Sequence, residues 1–170
     1  VVGLLDDRLS LPSTWRYGVQ LLAASLMISY SSLVKGFIPT AASGDWLLLA
    51  GLTLLVIAFT AIINFTNFMD GLDGLVASCM AVVIGALSFS LNAPWSLWAL
   101  VGSLLGFLIW NWSPAKVFMG DVGSTFLGAV FAGLLLQASS WLEAFGYLLV
   151  GTPLLADACI CVLRRLLAGQ

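Results

Sequence analysis

Histidine is absent from this 170-residue chain, which removes the side chain that most often serves as a general base near neutral pH. Charge is scarce as well: 8% of residues are charged against 61% hydrophobic, and the mean hydropathy is +1.09. Such a composition excludes an ordinary soluble domain, because the chain has too little polar surface to cover itself. Six basic residues against eight acidic ones leave a net charge of -2, with no run of Lys or Arg. A nucleic-acid partner is therefore excluded. Cysteine is limited to Cys79, Cys159 and Cys161, all inside apolar runs. Cys159 and Cys161, two apart, point to different sides of a helix, so neither a zinc site nor a disulfide framework follows; small core-facing or lipid-facing residues are expected. The opening Val1-Val2-Gly3-Leu4-Leu5-Asp6-Asp7 has no initiator Met, basic n-region or small-residue cleavage site. It does not read as a signal peptide, and the chain is expected to be an interior piece of something longer.

Long apolar runs fill most of the sequence. Counting with the ~20 residues that a membrane-crossing helix needs predicts an all-α, polytopic transmembrane helical bundle. It has about six spans, at 17–34, 46–63, 74–91, 95–112, 124–138 and 142–163, in a single membrane-embedded domain covering 1–170. Gly36, Pro39, Gly44, Pro94 and Pro114 punctuate the boundaries. Trp15, Trp46, Trp95, Trp112 and Trp141 fall at span ends, where an indole suits the membrane interface.

Parity then places the charges. If Asp6, Asp7 and Arg8 lie on one side, successive crossings return Asn64 to Asp73, then Lys116 to Asp121, then Arg164 and Arg165 to that same side. The opposite side keeps Lys35, Asp45 and Glu143. The excess of Lys and Arg on the motif side makes it cytoplasmic by the positive-inside rule. Ionisable groups crowded at one interface point to interfacial chemistry rather than to a transporter, which would place them near the bilayer midplane. Asp157, seven residues before Arg164, is expected ~10 Å deeper on an ideal helix, as a buried carboxylate bonded to a neighbouring helix or as a substrate or lipid contact.

Three acidic stations stand on that side. Asp6-Asp7 are adjacent, so their carboxylates diverge; one could take a metal while the other takes a proton or an Arg, and a capping or solvated pair is the plainer alternative. The second station is Asn64-x-x-Asn67-x-x-Asp70-Gly71-x-Asp73-Gly74. Residues three apart share a helical face, which predicts a row of amide and carboxylate oxygens for hydroxyls, a base edge or an ion. Gly71 and Gly74 let a ligand approach the backbone. The third is Lys116-Val117-Phe118-Met119-Gly120-Asp121-Val122-Gly123-Ser124. It is expected to be a loop whose N–H groups, with the helix start that follows, suit a phosphate, and Asp121 could hold Mg²⁺ against it. It is not a Walker A string. Together the stations suggest metal-assisted phosphoryl chemistry on a lipid substrate at the membrane surface.

The strings GLLDDR, NFTNFMDGLDGL and NWSPAKVFMGDVGSTFLG, in this order and each preceding apolar runs, resemble the polyprenyl-phosphate N-acetylhexosamine-1-phosphate transferases. FMGDVGSTFLG with Arg164-Arg165 is more similar to the branch that initiates O-antigen and common-antigen lipids than to the peptidoglycan branch. The resemblance implies transfer of an N-acetylhexosamine 1-phosphate from a UDP-sugar to polyprenyl (undecaprenyl) phosphate, releasing UMP, at the cytoplasmic face of a bacterial inner membrane. It implies Mg²⁺, with Mn²⁺ as a substitute, and admits a homodimer. By the same resemblance Asp6 and Asp7 serve the lipid phosphate, proton removal or metal, and Asp70 and Asp73 belong to the nucleotide and catalytic region. Asp121 binds the metal, Gly71, Asn111 and Phe118 belong to a uridine pocket, and Asn67 organises the site.

The family has ten or eleven spans and a His-rich cytoplasmic loop that should follow Arg165, whereas this chain has about six spans, no histidine, and stops at Gln170. A fragment is therefore expected, and an inactive scaffold derived from the family is the alternative. Residues 70–77 also fit the D-x-x-D-G-x-x-A core of CDP-alcohol phosphotransferases, but Ser78 stands where that family needs Arg and its downstream aspartate pair is missing.

Overall fold

The computed structural model describes residues 13–36 and 46–169, so Asp6, Asp7, Arg8 and Asp45 lie outside the described residues. Among these residues every regular element is helical: α1 Ser13–Tyr30, α2 Ser32–Lys35, α3 Trp46–Phe68, α4 Leu75–Ser90, α5 Trp95–Asn111, α6 Gly120–Leu135, α7 Trp141–Val150 and α8 Thr152–Leu167. The expected all-α class is observed. α3, with 23 residues, is by itself long and apolar enough to cross a membrane, and α7 with α8 meets the same measure as a bent pair. α4, α5 and α6 are shorter apolar helices.

Three boundaries differ from expectation for identifiable reasons. The run 142–163 is not one straight helix: α7 and α8 meet at 74°. Pro153, in the first turn of α8, has no N–H to continue the ladder of α7 and is well suited to start a new helix. Helix α6 begins at Gly120, so the Gly-Asp-x-Gly-Ser string forms its first turns rather than a loop. Helix α3 stops at Phe68, because Gly71 and Gly74 do not sustain a helix there. Asp70 and Asp73 consequently sit in a turn, not on one helical face with Asn67.

Helix α6 packs most extensively on α3, and α4 on α5, with α1 laid against α3 and α8 against α3 from another side. The closest approach is at Gly128 of α6, where a Cβ would lie 2.9 Å from Ile63 Cα and 3.1 Å from Thr66 Cβ. Apolar side chains gain little from leaving lipid, so a small residue that lets two backbones approach is the usual means of holding membrane helices together. Around this contact Phe131, Met80, Ile84, Leu87 and Leu134 are fully enclosed. Thr66, buried beside Gly128, spends its hydroxyl on Ile62 O at 2.9 Å, which removes the cost of an unpaired polar atom.

The helices alternate in direction, which sorts the chain termini of the elements into two ends. At one end, Ser31 Oγ donates to Leu136 O at 3.2 Å, and Ser90 and Tyr147 hydroxyls lie 3.2 Å apart. Lys35 lies over the Tyr30 ring there. The other end gathers the start of α1, the end of α3, the start of α4, the end of α5, the start of α6 and Arg165, which lies over the Phe68 ring at 5.3 Å. Asp157 departs from the expectation of burial: it is exposed on α8.

Candidate active site

The acidic end is assembled from α3 and α6. Ser124, 0% exposed, places its Oγ 2.5 Å from Asn67 Oδ1 and 3.0 Å from Gly120 O. A hydroxyl has one proton, and the shorter contact makes the Asn67 carbonyl its principal acceptor. The Ser124 bond thus orients the Asn67 amide, and it pins the end of α3 to the first turns of α6. Asp121 precedes Ser124 by one helical turn, and Asp70 follows Asn67 by three residues. Asp121 thus stands in the first turns of α6, and Asp70 lies in the turn after α3, near enough for the charge of Asp121 to act on it.

Their mutual influence is visible in protonation. Burial first, and then the negative charge of Asp121, push the Asp70 carboxyl up from 3.8 to about 6. Asp121 is itself held by Arg16 of α1, whose Nη1 donates to Asp121 Oδ2 at 2.9 Å. One turn along α1, Gln20 Oε1 accepts from Asn64 Nδ2 at 2.6 Å, so a polar seam ties α1 to α3. Neither Arg16 nor Gln20 nor the bond of Ser124 emerged from the sequence reading. The spacing of four between Arg16 and Gln20, which puts both on one face of an otherwise apolar helix, is the signal that could have found them.

Gly74, at φ 72°, occupies the left-handed region where only glycine is unstrained, and it turns the chain from the acidic segment into α4. Its N–H donates to Asn111 Oδ1 at 3.1 Å, and Asn111 Nδ2 donates to Val117 O at 2.8 Å. Both halves of this buried amide are thus engaged, fastening α4 to the segment after α5. Asp73 Oδ2 accepts from Ala115 N–H at 2.9 Å, and Trp110 O accepts from Lys116 N–H at 2.8 Å. These bonds fold residues 112–119 over the end of α5 and bring Phe118 beside the aspartate turn. The resulting cleft of about 50 Å³ is lined by Asp70, Gly71, Leu72, Asp73, Asn111, Phe118 and Met119. Phe118, 73% exposed, offers a free ring face to a planar group. Phe118 and Met119 also border a separate apolar groove of about 280 Å³ along α5 and α6.

The structure therefore brings together Asp70, Gly71, Asp73, Asn111 and Phe118 in one cleft, and sets Asn67 and Asp121 beside it. Among the described residues no group of three or more Asp, Glu, Cys or His gathers around one point. That donor set does not suit a metal caged wholly by protein. It fits Mg²⁺, which binds through one or two carboxylates, completes its shell with water and substrate phosphates, and prefers hard oxygen ligands. Asp70 and Asp121 are the two carboxylates here whose charges act on one another.

Comparison with known proteins places the chain in a family. Residues 1–139 match the model of glycosyl transferase family 4. The chain is 36% identical over 187 aligned residues to the phospho-N-acetylmuramoyl-pentapeptide-transferase of Synechococcus sp. (strain RCC307), covering 96% of this chain and 50% of that protein. It is 38% identical over 126 residues to the phospho-N-acetylmuramoyl-pentapeptide-transferase of Chlamydia muridarum, covering 66% of this chain and 38% of that protein. It is 29% identical over 182 residues to the "Probable undecaprenyl-phosphate N-acetylglucosaminyl 1-phosphate transferase" of Bacillus subtilis (strain 168), covering 100% of this chain and 51% of that protein. The chain spans about half the length, or less, of these curated relatives. With the motifs in order and the family model matched over most of its length, the chain belongs to glycosyl transferase family 4, the polyprenyl-phosphate hexosamine-1-phosphate transferases.

Proposed function

We propose that the protein to which this chain belongs transfers an N-acetylhexosamine 1-phosphate from a UDP-sugar to a polyprenyl phosphate such as undecaprenyl phosphate. The site lies at the cytoplasmic face of a bacterial inner membrane. In this transfer a P–O bond forms between the lipid phosphate oxygen and the sugar-bearing phosphorus. The bond from that phosphorus to the bridging oxygen breaks, and UMP leaves with that oxygen. The product is a lipid-linked sugar diphosphate, which opens a cell-envelope polysaccharide or glycolipid pathway.

The observation that carries the reading is the pinning of the end of α3 to the start of α6 by the Asn67–Ser124 bond, with Asp121 near enough for its charge to act on Asp70 and Asp70 lining a cleft that has an exposed aromatic ring. A neighbouring negative charge raises a carboxylate's cost of ionisation, and a divalent cation held by Asp70 and Asp121 would relieve it. When bound, Mg²⁺ would neutralise charge on the phosphoryl oxygens. The side chains do the rest. Asp70 and Asp121 hold the cation and the diphosphate near it, and Phe118 stacks on uracil. Gly71 leaves the backbone open to the nucleotide, and Asp73 and Asn111 keep the cleft in shape through Ala115, Gly74 and Val117. For Asp6 and Asp7 the family resemblance supports service to the lipid phosphate, by proton removal or by binding the cation.

The FMGDVGSTFLG string is more similar to the O-antigen and common-antigen branch, whereas several relatives bear the muramoyl-pentapeptide name. Membranes carrying the full-length protein, undecaprenyl phosphate and Mg²⁺ would be given UDP-N-acetylglucosamine or UDP-N-acetylmuramoyl-pentapeptide in parallel. UMP release that needs lipid and cation is expected with the first donor. Release from the second alone would reassign the branch, and release from neither would leave the scaffold alternative.

A further inference from the structure

Arg16 and Asp121 stand 105 residues apart in sequence and 2.9 Å apart in space. Their side chains are 32% and 36% exposed, so the pair sits at the rim of the acidic end, within reach of solvent and of a ligand. An ion pair this accessible contributes about 0–1 kcal/mol to stability. Holding α1 against α6 is thus a poor account of its purpose, since Gln20–Asn64 and Ser124–Asn67 already tie those helices to α3.

What the pair does is set two cations in competition for one carboxylate. A divalent ion approaching Asp121 meets a guanidinium already on Oδ2. A guanidinium displaced from a carboxylate is well matched to phosphate, because its planar fork presents parallel N–H donors to two oxygens. We propose that Arg16 and Asp121 exchange partners when substrate binds: Asp121 passes from the guanidinium to the divalent cation, and Arg16 passes to a phosphate oxygen. This rests on the transferase reading above. Before substrate arrives, Arg16 keeps the carboxylate neutralised and the cation weakly bound. Once a phosphate is present to receive the guanidinium, cation and phosphate bind with mutual support. Arg16 is thus a positioning residue for the cation and a direct ligand of the phosphate, whether that phosphate belongs to the nucleotide-sugar or to the lipid.

The test uses the full-length protein in nanodiscs with Mn²⁺ alone, read by the electron paramagnetic resonance signal of free Mn²⁺, without substrate. Replacing Arg16 by Gln removes a unit charge near a divalent site in a partly exposed setting, and tighter Mn²⁺ binding by roughly five- to twentyfold is expected. Arg16→Lys keeps the charge and should bind Mn²⁺ as the wild type does, and Asp121→Asn should abolish the effect of Arg16→Gln. In the presence of Mn²⁺, Arg16→Gln should also weaken binding of UDP-N-acetylglucosamine or of undecaprenyl phosphate. Weakening of the first assigns the exchange to the diphosphate, and weakening of the second to the lipid phosphate. A purely structural Arg16 would lower Mn²⁺ affinity or leave it alone, and either result overturns the proposal, as does unchanged binding of both phosphates. Absence of UMP release with the Mn²⁺ tightening intact would instead count against the transferase reading and leave the exchange standing.

Discussion

Ser124 and Asn67, one on α6 and the other near the end of α3, meet at 2.5 Å through the serine hydroxyl and the amide oxygen, each three residues from a carboxylate, Asp121 and Asp70 respectively. The bond fixes the spacing of the two elements at the level where chemistry is expected. It also leaves the Asn67 amide nitrogen, rather than its oxygen, free to be directed away from α6.

Removing the hydroxyl therefore loosens the site. Ser124→Ala leaves the Asn67 carbonyl without its donor in a part-buried position, at a cost of about 1 kcal/mol. Thermal unfolding in detergent should show the loss, and UMP release by the full-length protein should fall about tenfold or more for a displacement at this distance. Wild-type activity in Ser124→Ala would show that the bond does not position the carboxylates.

Gly128 tests the same interface one step further from the chemistry. A Cβ at this position would meet the backbone of Ile63 at 2.9 Å, and backbone cannot step aside as a flexible side chain can. Gly128→Ala should destabilise the α3–α6 pair by about 1–3 kcal/mol, and Gly128→Leu more. Equilibrium unfolding in mixed micelles measures it; a stability equal to wild type in both variants would contradict the close approach.

The protonation of Asp70 gives a pH dependence with a definite sign. Its carboxyl is raised from 3.8 to about 6. Between those values the folded protein retains a proton that the unfolded chain has released, so the contribution of Asp70 to stability falls as pH rises through that window. Divalent-cation binding needs the ionised form, so Mn²⁺ affinity should climb with pH to about 6 and then level. Because the Asp121 charge is one of the causes, Asp121→Asn should move the Asp70 transition to lower pH, readable in the carboxyl band by difference infrared spectroscopy. A transition that stays in place would assign the whole shift to burial.

Asn111 separates a strut from a ligand-binding group. Both ends of its amide are used inside the protein. Asn111→Asp keeps an acceptor for Gly74 but sets a carboxylate oxygen against the Val117 carbonyl. It should lower thermal stability and weaken UMP binding together, as calorimetry would show. Loss of UMP binding with stability intact would give Asn111 a direct contact with the nucleotide instead.

The helical class and the meeting of the second and third motif strings were legible in the sequence because hydropathy depends on long segments, which average over local detail; the first string, with Asp6 and Asp7, lies outside the described residues. Asp70, Gly71, Asp73, Asn111 and Phe118 were legible as a set because their motif strings are distinctive. The geometry of individual residues was not. A helical row through Asn67, Asp70 and Asp73 was expected, but two glycines end α3 at Phe68, and Asp73 turns to the Ala115 N–H instead. The Gly120 to Ser124 string was expected as a loop, although helix α6 begins there and so sets Ser124 one turn after Asp121. The bend after α7 escaped a hydropathy count because Pro153 interrupts hydrogen bonding without changing apolarity. The partnership of Arg16 with Asp121 was not legible, since pairing across 105 residues is a property of the folded chain alone.

The central claim is that Asp70 and Asp121 act as one site in phosphoryl transfer. It is tested most directly by cation-dependent UMP release from the full-length protein with Asp70→Asn, Asp121→Asn and the double substitution, each assayed with undecaprenyl phosphate and UDP-N-acetylglucosamine. Each single change should lower release by about 10²-fold or more, and the double change should lower it little further, because residues acting as a unit are not additive. Full activity in either single variant, or losses that simply multiply in the double, would contradict the shared site.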